Sequence, residues 1–221
     1  QAVGIYFWHV KARDQHGNWS NWSYKRKITI KPVIPVAPTL VSPKSGVLTR
    51  DNTPTFSWKA VPYGFKYQVQ ILDKYLNVEQ DKVLPSGLLS LTATTLPDGK
   101  HYWRVRAINV LNENGAWTLA RALTIDTVSP VAPKLVSPSN GFKSPGTPEF
   151  TWKASNGAKY YQFSYSKSIT FITVIYTSSK LTSLSFTPPT MKSGTFYWRV
   201  RCQDAAGNWS KWSTPWKVSI Y

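Results

Sequence analysis

The chain has 221 residues, 42% of them hydrophobic and 14% aromatic, which is enough apolar material for more than one core and predicts a folded chain over most of its length. Its single cysteine, Cys202, excludes an internal disulfide framework. The sequence contains no run of 18 apolar residues, so it predicts no membrane-spanning helix. The formal net charge of +17 favours anionic partners such as acidic polysaccharide or cell wall, and it does not select one class.

Residues 1–31 are the first predicted element, a partial repeat that would form the last two strands of a β-sandwich. Its pentapeptide around Trp8 returns around Trp103 and Trp198, at a constant spacing of 95 residues. The three copies are Tyr6-Phe-Trp-His-Val10, His101-Tyr-Trp-Arg-Val105 and Phe196-Tyr-Trp-Arg-Val200. Constant spacing of this kind indicates tandem modules, so the three tryptophans are predicted to be equivalent structural core residues.

Residues 32–127 are the second predicted element, a complete repeat. Pro32, Pro35 and Pro38 predict an extended, stiff linker at its start. Alternation with a period of two then places Phe56 and Trp58 on one face of an early strand. In the penultimate strand, the same alternation turns Trp103, Val105 and Ala107 inward and Tyr102, Arg104 and Arg106 outward. Trp58 and Trp103 are therefore the predicted core of this repeat.

Residues 128–221 are the third predicted element, a second complete repeat with Pro130 and Pro133 in its linker. Thr53-Pro-Thr-Phe-Ser-Trp-Lys59 returns as Thr147-Pro-Glu-Phe-Thr-Trp-Lys153, so Trp152 and Trp198 are the predicted core. Cys202 takes the inward position of Ala107 and is expected to be a small buried thiol. This element holds 11 basic and 2 acidic residues, a balance of +9, the largest of the three elements.

These strands resemble the fibronectin type III superfamily, in the form found in long bacterial surface proteins. The resemblance rests on the Thr-Pro-x-Phe-x-Trp strand, on Tyr67-Gln-Val-Gln-Ile71 and on Tyr102-Trp-Arg-Val-Arg-Ala107. It implies an all-β fold of tandem fibronectin III/immunoglobulin-like antiparallel β-sandwiches, with about seven strands in each repeat. The family's corner tyrosine is matched by Tyr6, whereas His101 and Phe196 stand at that position in the complete repeats.

A narrower resemblance joins Trp19-Ser-Asn-Trp-Ser23 and Trp209-Ser-Lys-Trp-Ser213 to the Trp-Ser-x-Trp-Ser box of class I cytokine receptors. In that family, indoles from the box stack with arginines of the neighbouring strand. The resemblance implies a cation–π ladder with a structural role, and a ligand-binding role is the alternative. The predicted members are Arg199, Arg201, Trp209 and Trp212, together with Trp19 and Trp22. In the middle repeat the box is expected to have decayed to Ala116-Trp-Thr-Leu-Ala120.

The residues offer little material for catalysis. His9, His16 and His101 lack the paired spacing of a zinc site, and ten acidic residues are scattered without a recurring pair. The segments Asp14-x-x-Gly-Asn18 and Asp204-x-x-Gly-Asn208 are interpreted as turns rather than calcium loops, since each holds one carboxylate. We therefore expect no enzyme, no metal and no cofactor.

The partial repeat leaves two alternatives open. Its two strands would expose Trp8 and Val10, and two strands alone are marginal in water. Either the missing strands precede Gln1 in a longer protein, which is the favoured expectation, or another chain supplies them.

The function expected from these patterns is a non-catalytic, secreted or cell-surface repeat segment: a stalk, sheath, fibre or adhesin shaft that could assemble into a filament. Its expected partners are other copies or neighbouring repeats of the same protein, with anionic polysaccharide or cell wall as a further class and no nucleic acid. The alternative is a polysaccharide- or cell-wall-binding accessory region of a secreted enzyme.

Overall fold

The computed structural model describes residues 3–221, and the secondary structure of this range consists of β-strands without helices. The all-β prediction is confirmed. The strands fall into a hairpin and two groups of eight. The hairpin consists of β1 (Gly4–Trp8) and β2 (Arg26–Ile30). The first group contains β3 (Leu40–Ser42), β4 (Val47–Thr49), β5 (Thr55–Trp58), β6 (Lys66–Leu72), β7 (Val78–Leu84), β8 (Ser90–Thr92), β9 (Gly99–Ile108) and β10 (Arg121–Ile125). The second contains β11 (Leu135–Ser137), β12 (Phe142–Ser144), β13 (Phe150–Trp152), β14 (Ala158–Ser166), β15 (Val174–Thr177), β16 (Ser185–Phe186), β17 (Gly194–Asp204) and β18 (Trp216–Ile220).

Each group of eight strands forms a three-stranded and a five-stranded sheet. In the first group the strand orders are β3-β5-β8 and β4-β10-β9-β6-β7, and in the second they are β11-β13-β16 and β12-β18-β17-β14-β15. The expected seven strands become eight because the first strand is broken. Its first part pairs antiparallel with one sheet, and its second part pairs parallel with the other, as β4 does with β10. Pro43 and Pro138 lie at the break, where neither can donate a backbone hydrogen bond.

Aromatic contacts between the two sheets of each group form its core. Phe56 of β5 lies 4.9 Å from Trp103 of β9, measured between ring centroids, and Phe150 of β13 lies 4.9 Å from Trp198 of β17. Trp103 and Trp198 are 0% exposed, and Trp58 and Trp152 are each 3% exposed. Val105 and Ala107 are also fully buried, as the period-two alternation predicts. Each group is therefore a β-sandwich, and we refer to them as the first and second sandwich.

The hairpin differs from both sandwiches in having no covered face. β1 and β2 pair in register from Gly4 opposite Ile30 to Trp8 opposite Arg26. Trp8 is 47% exposed and Val10 is 56% exposed. The prediction of Trp8 as a core residue is therefore wrong for this structure, because no second sheet packs on its strand.

The proline linkers contact the sandwiches that follow them. Pro35, Pro38 and Pro133 are buried. A Cβ atom added to Gly115 would lie 2.3 Å from the carbonyl oxygen of Pro35, so the linker runs against the first sandwich where only glycine leaves room. In the second sandwich the thiol of Cys202 is buried, and its Sγ lies 3.3 Å from the carbonyl oxygen of Val131.

Contacts divide the described residues into two compact units, one with residues 3–42, 55–91 and 103–120, the other with residues 43–54, 92–102 and 121–221. The sheet β4-β10-β9-β6-β7 takes strands from both units.

Candidate functional site

The outward positions of β9 and β17 carry the arginines that sequence alternation predicts. Arg104 and Arg106 lie on β9, and Arg199 and Arg201 lie at the equivalent positions of β17. Their neighbours inward are the buried tryptophans and valines. The strand thus places two guanidinium groups about 7 Å apart on one face, which is the spacing at which an indole fits between them.

In the second sandwich these arginines form a ladder with the box tryptophans. The guanidinium carbon of Arg199 lies 4.4 Å from the ring centroid of Trp212, and that of Arg201 lies 4.7 Å from Trp212 and 4.1 Å from Trp209. The predicted members are therefore brought together. The ladder also extends at both ends to residues that sequence reasoning missed: Phe171 lies 3.8 Å from Arg199, and Lys180 lies 5.8 Å from Trp209 and 5.3 Å from Tyr160.

The hairpin carries a shorter ladder, in which a histidine and a lysine stand where the second sandwich has two arginines. The ammonium nitrogen of Lys11 lies 4.3 Å from Trp19 and 5.0 Å from Trp22, and the guanidinium carbon of Arg13 lies 5.7 Å from Trp19. His9 stacks on Trp22 with ring centroids 4.0 Å apart. His9 and Lys11 occupy the positions of Arg199 and Arg201, so the predicted Trp19 and Trp22 do lie in a ladder, with different partners.

Each serine of the box pairs with β17 through its backbone amide, which donates, and its hydroxyl, which accepts in place of a backbone carbonyl. Ser213 donates its amide to the Val200 carbonyl and accepts the Val200 amide on its hydroxyl, at 2.8 and 3.1 Å. Ser210 does the same with Cys202, at 2.8 and 3.0 Å. A short side chain with a hydroxyl can complete this pair of hydrogen bonds without a paired strand, which explains why serine follows each indole.

The middle repeat keeps half of the box, which corrects the sequence reading. Thr118 donates its amide to the Val105 carbonyl and accepts the Val105 amide on its hydroxyl, so Trp117-Thr118 matches Trp212-Ser213. Trp117 lies 4.7 Å from Arg104 and 4.6 Å from Arg106. The offset of 95 residues from Trp22 to Trp117 was the signal that could have found this ladder. Gly115 stands where the first serine would be, because the linker passes there.

The two sandwiches hold their arginines differently. In the first, the side-chain oxygen of Gln70 accepts two hydrogen bonds from Arg104, at 3.0 and 2.7 Å, and that of Gln68 accepts one from Arg106 at 2.8 Å. Both glutamine amides then donate to the Asp81 carboxylate, at 2.7 and 2.8 Å. The two arginines are thus linked through amides to a carboxylate, which orients them and balances part of their charge.

In the second sandwich that carboxylate is missing from the network. Gln162 accepts two hydrogen bonds from Arg201, at 2.9 and 2.6 Å, and donates to the carbonyl of Ser178. The position of Gln70 is taken by Ser164, whose hydroxyl donates to the Tyr176 carbonyl. Arg199 has no hydrogen-bond acceptor within residues 3–221, and its Nε atom is buried.

Burial and charge both act on this ladder. Desolvation and the positive charge of Arg201 lower the pKa of Arg199, and desolvation lowers the pKa of Arg201. Both groups remain cations at neutral pH, since an arginine titrates far above it. The lowered pKa values reflect the free-energy cost of holding two partly buried cations side by side.

The loops beside the ladder are turns, as the sequence predicts. The Asp204 carboxylate accepts the backbone amides of Gly207 and Asn208 and the side-chain amide of Asn208. Asp14 accepts equivalent bonds from Asn18, and these hydrogen bonds, from its backbone first and then its side chain, lower the pKa of Asp14. The structure brings together no group of three potential metal ligands within residues 3–221.

The corner position also differs between the sandwiches. The His101 ring nitrogen Nε2 lies 2.9 Å from the Pro97 carbonyl, so a histidine makes the local bond expected of a tyrosine. Phe196 has no polar atom there and packs edge-on against Tyr165. No helix within residues 3–221 is long and apolar enough to cross a membrane.

Comparisons with solved structures find similar folds. Fibronectin(III)-like modules of CbhA from Clostridium thermocellum align with a TM-score of 0.52 at 12% identity, over 83% of this chain and 93% of that one. The FN1–FN3 domains of chicken CNTN1 align with a TM-score of 0.47 at 14% identity, over 96% of this chain and 76% of that one. No family model and no curated protein sequence matches the chain. The sheet orders, the aromatic cores and the first of these alignments together show that the chain is built of fibronectin III-like β-sandwich modules.

Proposed function

We propose that the chain is a non-catalytic structural segment of an extracellular or cell-surface repeat protein, a stalk, sheath, fibre or adhesin shaft. The observation that carries this proposal is that each of two sandwiches of one design buries prolines of the linker that precedes it and contacts that linker's backbone. The contact of Pro35 with Gly115 and that of Val131 with Cys202 tie each connection to the module that follows it. A spacer needs such fixed connections.

A module exchange tests the structural role. Residues 39–221 are replaced, in the protein that contains them, by two unrelated β-sandwich modules of equal length. If the segment acts as a spacer, surface display and the activity of the rest of the protein are retained. Loss of activity with unchanged display contradicts the proposal, because it would show that these particular surfaces are required.

The proposed partners are further copies or neighbouring repeats of the same protein. The exposed apolar face of the hairpin supports this, since Trp8, Val10 and Ile28 lie in solvent on one side of its two strands. Light scattering coupled to size-exclusion chromatography, over a hundredfold range of concentration, tests it. Concentration-dependent growth in mass is expected, and a strict monomer at every concentration removes self-association from the proposal.

A further inference from the structure

The ladder face of the second sandwich holds cations that form no ion pair with an acidic side chain of residues 3–221. We define this face by Lys159, Lys180, Arg199 and Arg201, which accompany the rings of Tyr160, Phe171, Trp209 and Trp212. The range 128–221 contains only two acidic residues, Glu149 and Asp204. The Asp204 carboxylate is bound by its own loop, and Glu149 precedes β13 in the other sheet.

Arg199 is the centre of the argument because its donors are unused. Phe171 and Trp212 hold its guanidinium in place by ring contacts, at 3.8 and 4.4 Å from its central carbon. None of its N–H groups donates to an acceptor within residues 3–221. Nε is buried, so the N–H groups of Nη1 and Nη2 are the ones that a ligand outside the fold would meet. A cation that is fixed, partly desolvated and without an acceptor is poised to bind an oxyanion from outside.

The first sandwich provides an internal reference. Arg104 has the same strand position, but Gln70 accepts two of its N–H groups and Asp81 stands behind the glutamine. Replacement of Gln70 by Ser164 removes that acceptor. A β14–β15 connection two residues longer than the β6–β7 connection then brings Phe171 against the arginine. The two changes together hold Arg199 in place and leave its N–H donors without an acceptor.

The chemistry of the face selects among anions. Trp209 and Trp212 are already contacted by Arg201, and also by Lys180 and Arg199 respectively, so their rings offer little area on which a nucleic-acid base could stack. Arg199 and Arg201 lie on β17, Lys159 lies on β14, and Lys180 follows β15, so the cations are spread over the face. Such a spread fits a chain that repeats its anionic groups. We propose that this face binds an acidic polysaccharide, with carboxylate or sulfate groups accepting the N–H donors of Arg199 and the charges of Lys159 and Lys180 spreading the contact along the polymer.

This proposal goes beyond the structural role and does not depend on it. Polymer binding is measured on the 221-residue chain by itself, whereas the module exchange is scored in the protein that contains it. If the polymer fails to bind, the spacer role is unaffected.

The test uses the 221-residue chain and four probes: an alginate oligosaccharide for carboxylate, dextran sulfate for sulfate, neutral dextran, and single-stranded DNA of matched charge. Titration calorimetry at low and physiological salt is expected to show saturable binding to at least one acidic polysaccharide and none to neutral dextran. Loss of a charge-assisted anchor in Arg199→Gln should weaken that binding about tenfold. Binding to neither acidic probe, or equal binding to neutral dextran, overturns the proposal.

Two double variants keep the test valid if Arg199→Gln does not fold. Lys159→Gln with Lys180→Gln removes two exposed charges of the face, and about a threefold loss per lysine is expected. Lys74→Gln with Lys82→Gln removes the same charge from exposed positions of the first sandwich and should leave binding unchanged. Equal losses in the two variants, or tighter binding of the DNA than of either polysaccharide, would show that net charge alone acts and would overturn the assignment.

Discussion

The two sandwiches share one strand order and one aromatic core, yet they stabilise the same pair of outward arginines by different means. In the first, two glutamines connect Arg104 and Arg106 to Asp81. In the second, Arg201 keeps its glutamine, whereas Arg199 is held by aromatic rings. The comparison shows that the same outward arginine position is ordered in two ways, by a hydrogen-bonded acceptor in one sandwich and by aromatic rings in the other.

The same comparison extends to the hairpin, which has the ladder without the core. Its box serines close the same rings, with the Val10 and Ala12 amides on the hydroxyls of Ser23 and Ser20 at 3.0 and 2.9 Å. The ladder therefore forms on a two-stranded sheet. It needs only the strand and the box, and it does not need a buried tryptophan on the opposite face of the strand.

The largest effect that we expect comes from removing a core indole. Trp198→Ala should destabilise the second sandwich by about 3–5 kcal/mol, since it empties a fully buried site. Trp8→Ala, at the equivalent strand position, should cost less than about 1 kcal/mol because the indole is largely exposed. Chemical denaturation followed by fluorescence measures both. Similar losses would contradict the exposure of Trp8.

A smaller effect is expected where the linker meets the first sandwich. In Gly115→Ala the new methyl group would collide with the backbone of Pro35 and Ala107, which cannot yield as a flexible side chain would. We expect a loss of about 1–3 kcal/mol and faster proteolysis within residues 31–38. Gly146→Ala is the control, because no atom lies within 4 Å of its added Cβ. An unchanged cleavage rate in Gly115→Ala would show that the linker is not held there.

A still smaller loss of unfolding free energy is expected from removing the carboxylate network, which only the first sandwich has. Asp81→Asn removes the charged acceptor behind Gln68 and Gln70 and should cost the first sandwich roughly 0.5–1 kcal/mol, with a reduced dependence on salt. The second sandwich has no equivalent carboxylate and should unfold unchanged in the same experiment. A shift in both transitions would mean that the network is not confined to the first sandwich.

The smallest expected effect is local and concerns the loop of the hairpin. The pKa of Asp14 is lowered in the folded chain, so the ionised form is favoured and its contribution to loop order is present above the ordinary Asp pKa. It is lost as the pH falls through the lowered value, below 3.8. Amide resonances of His16 and Asn18 followed by NMR should report this midpoint, and Asp14→Asn should abolish it. A midpoint above 3.8 would contradict the hydrogen-bonded loop.

The repeat itself was readable from the sequence because the features that define it are local. A spacing of 95 residues located the modules, and alternation identified the buried face of each strand, including Val105 and Ala107. The resemblance to the Trp-Ser-x-Trp-Ser box placed its indoles beside the outward arginines. Alternation follows from backbone geometry between residues close in the chain, and the modules follow from the recurrence of the same residues in each repeat.

Only the tertiary structure decided which partners each side chain found. The acceptors of Arg104 and Arg199 depend on a neighbouring strand whose equivalent residues, Gln70 and Ser164, differ in length. The position of the linker depends on the contact of Gly115 with the carbonyl of Pro35, about 80 residues earlier in the chain. The burial of Trp8 depends on a second sheet that the hairpin does not have. Each is a contact between distant segments, and no local pattern of residues specifies it.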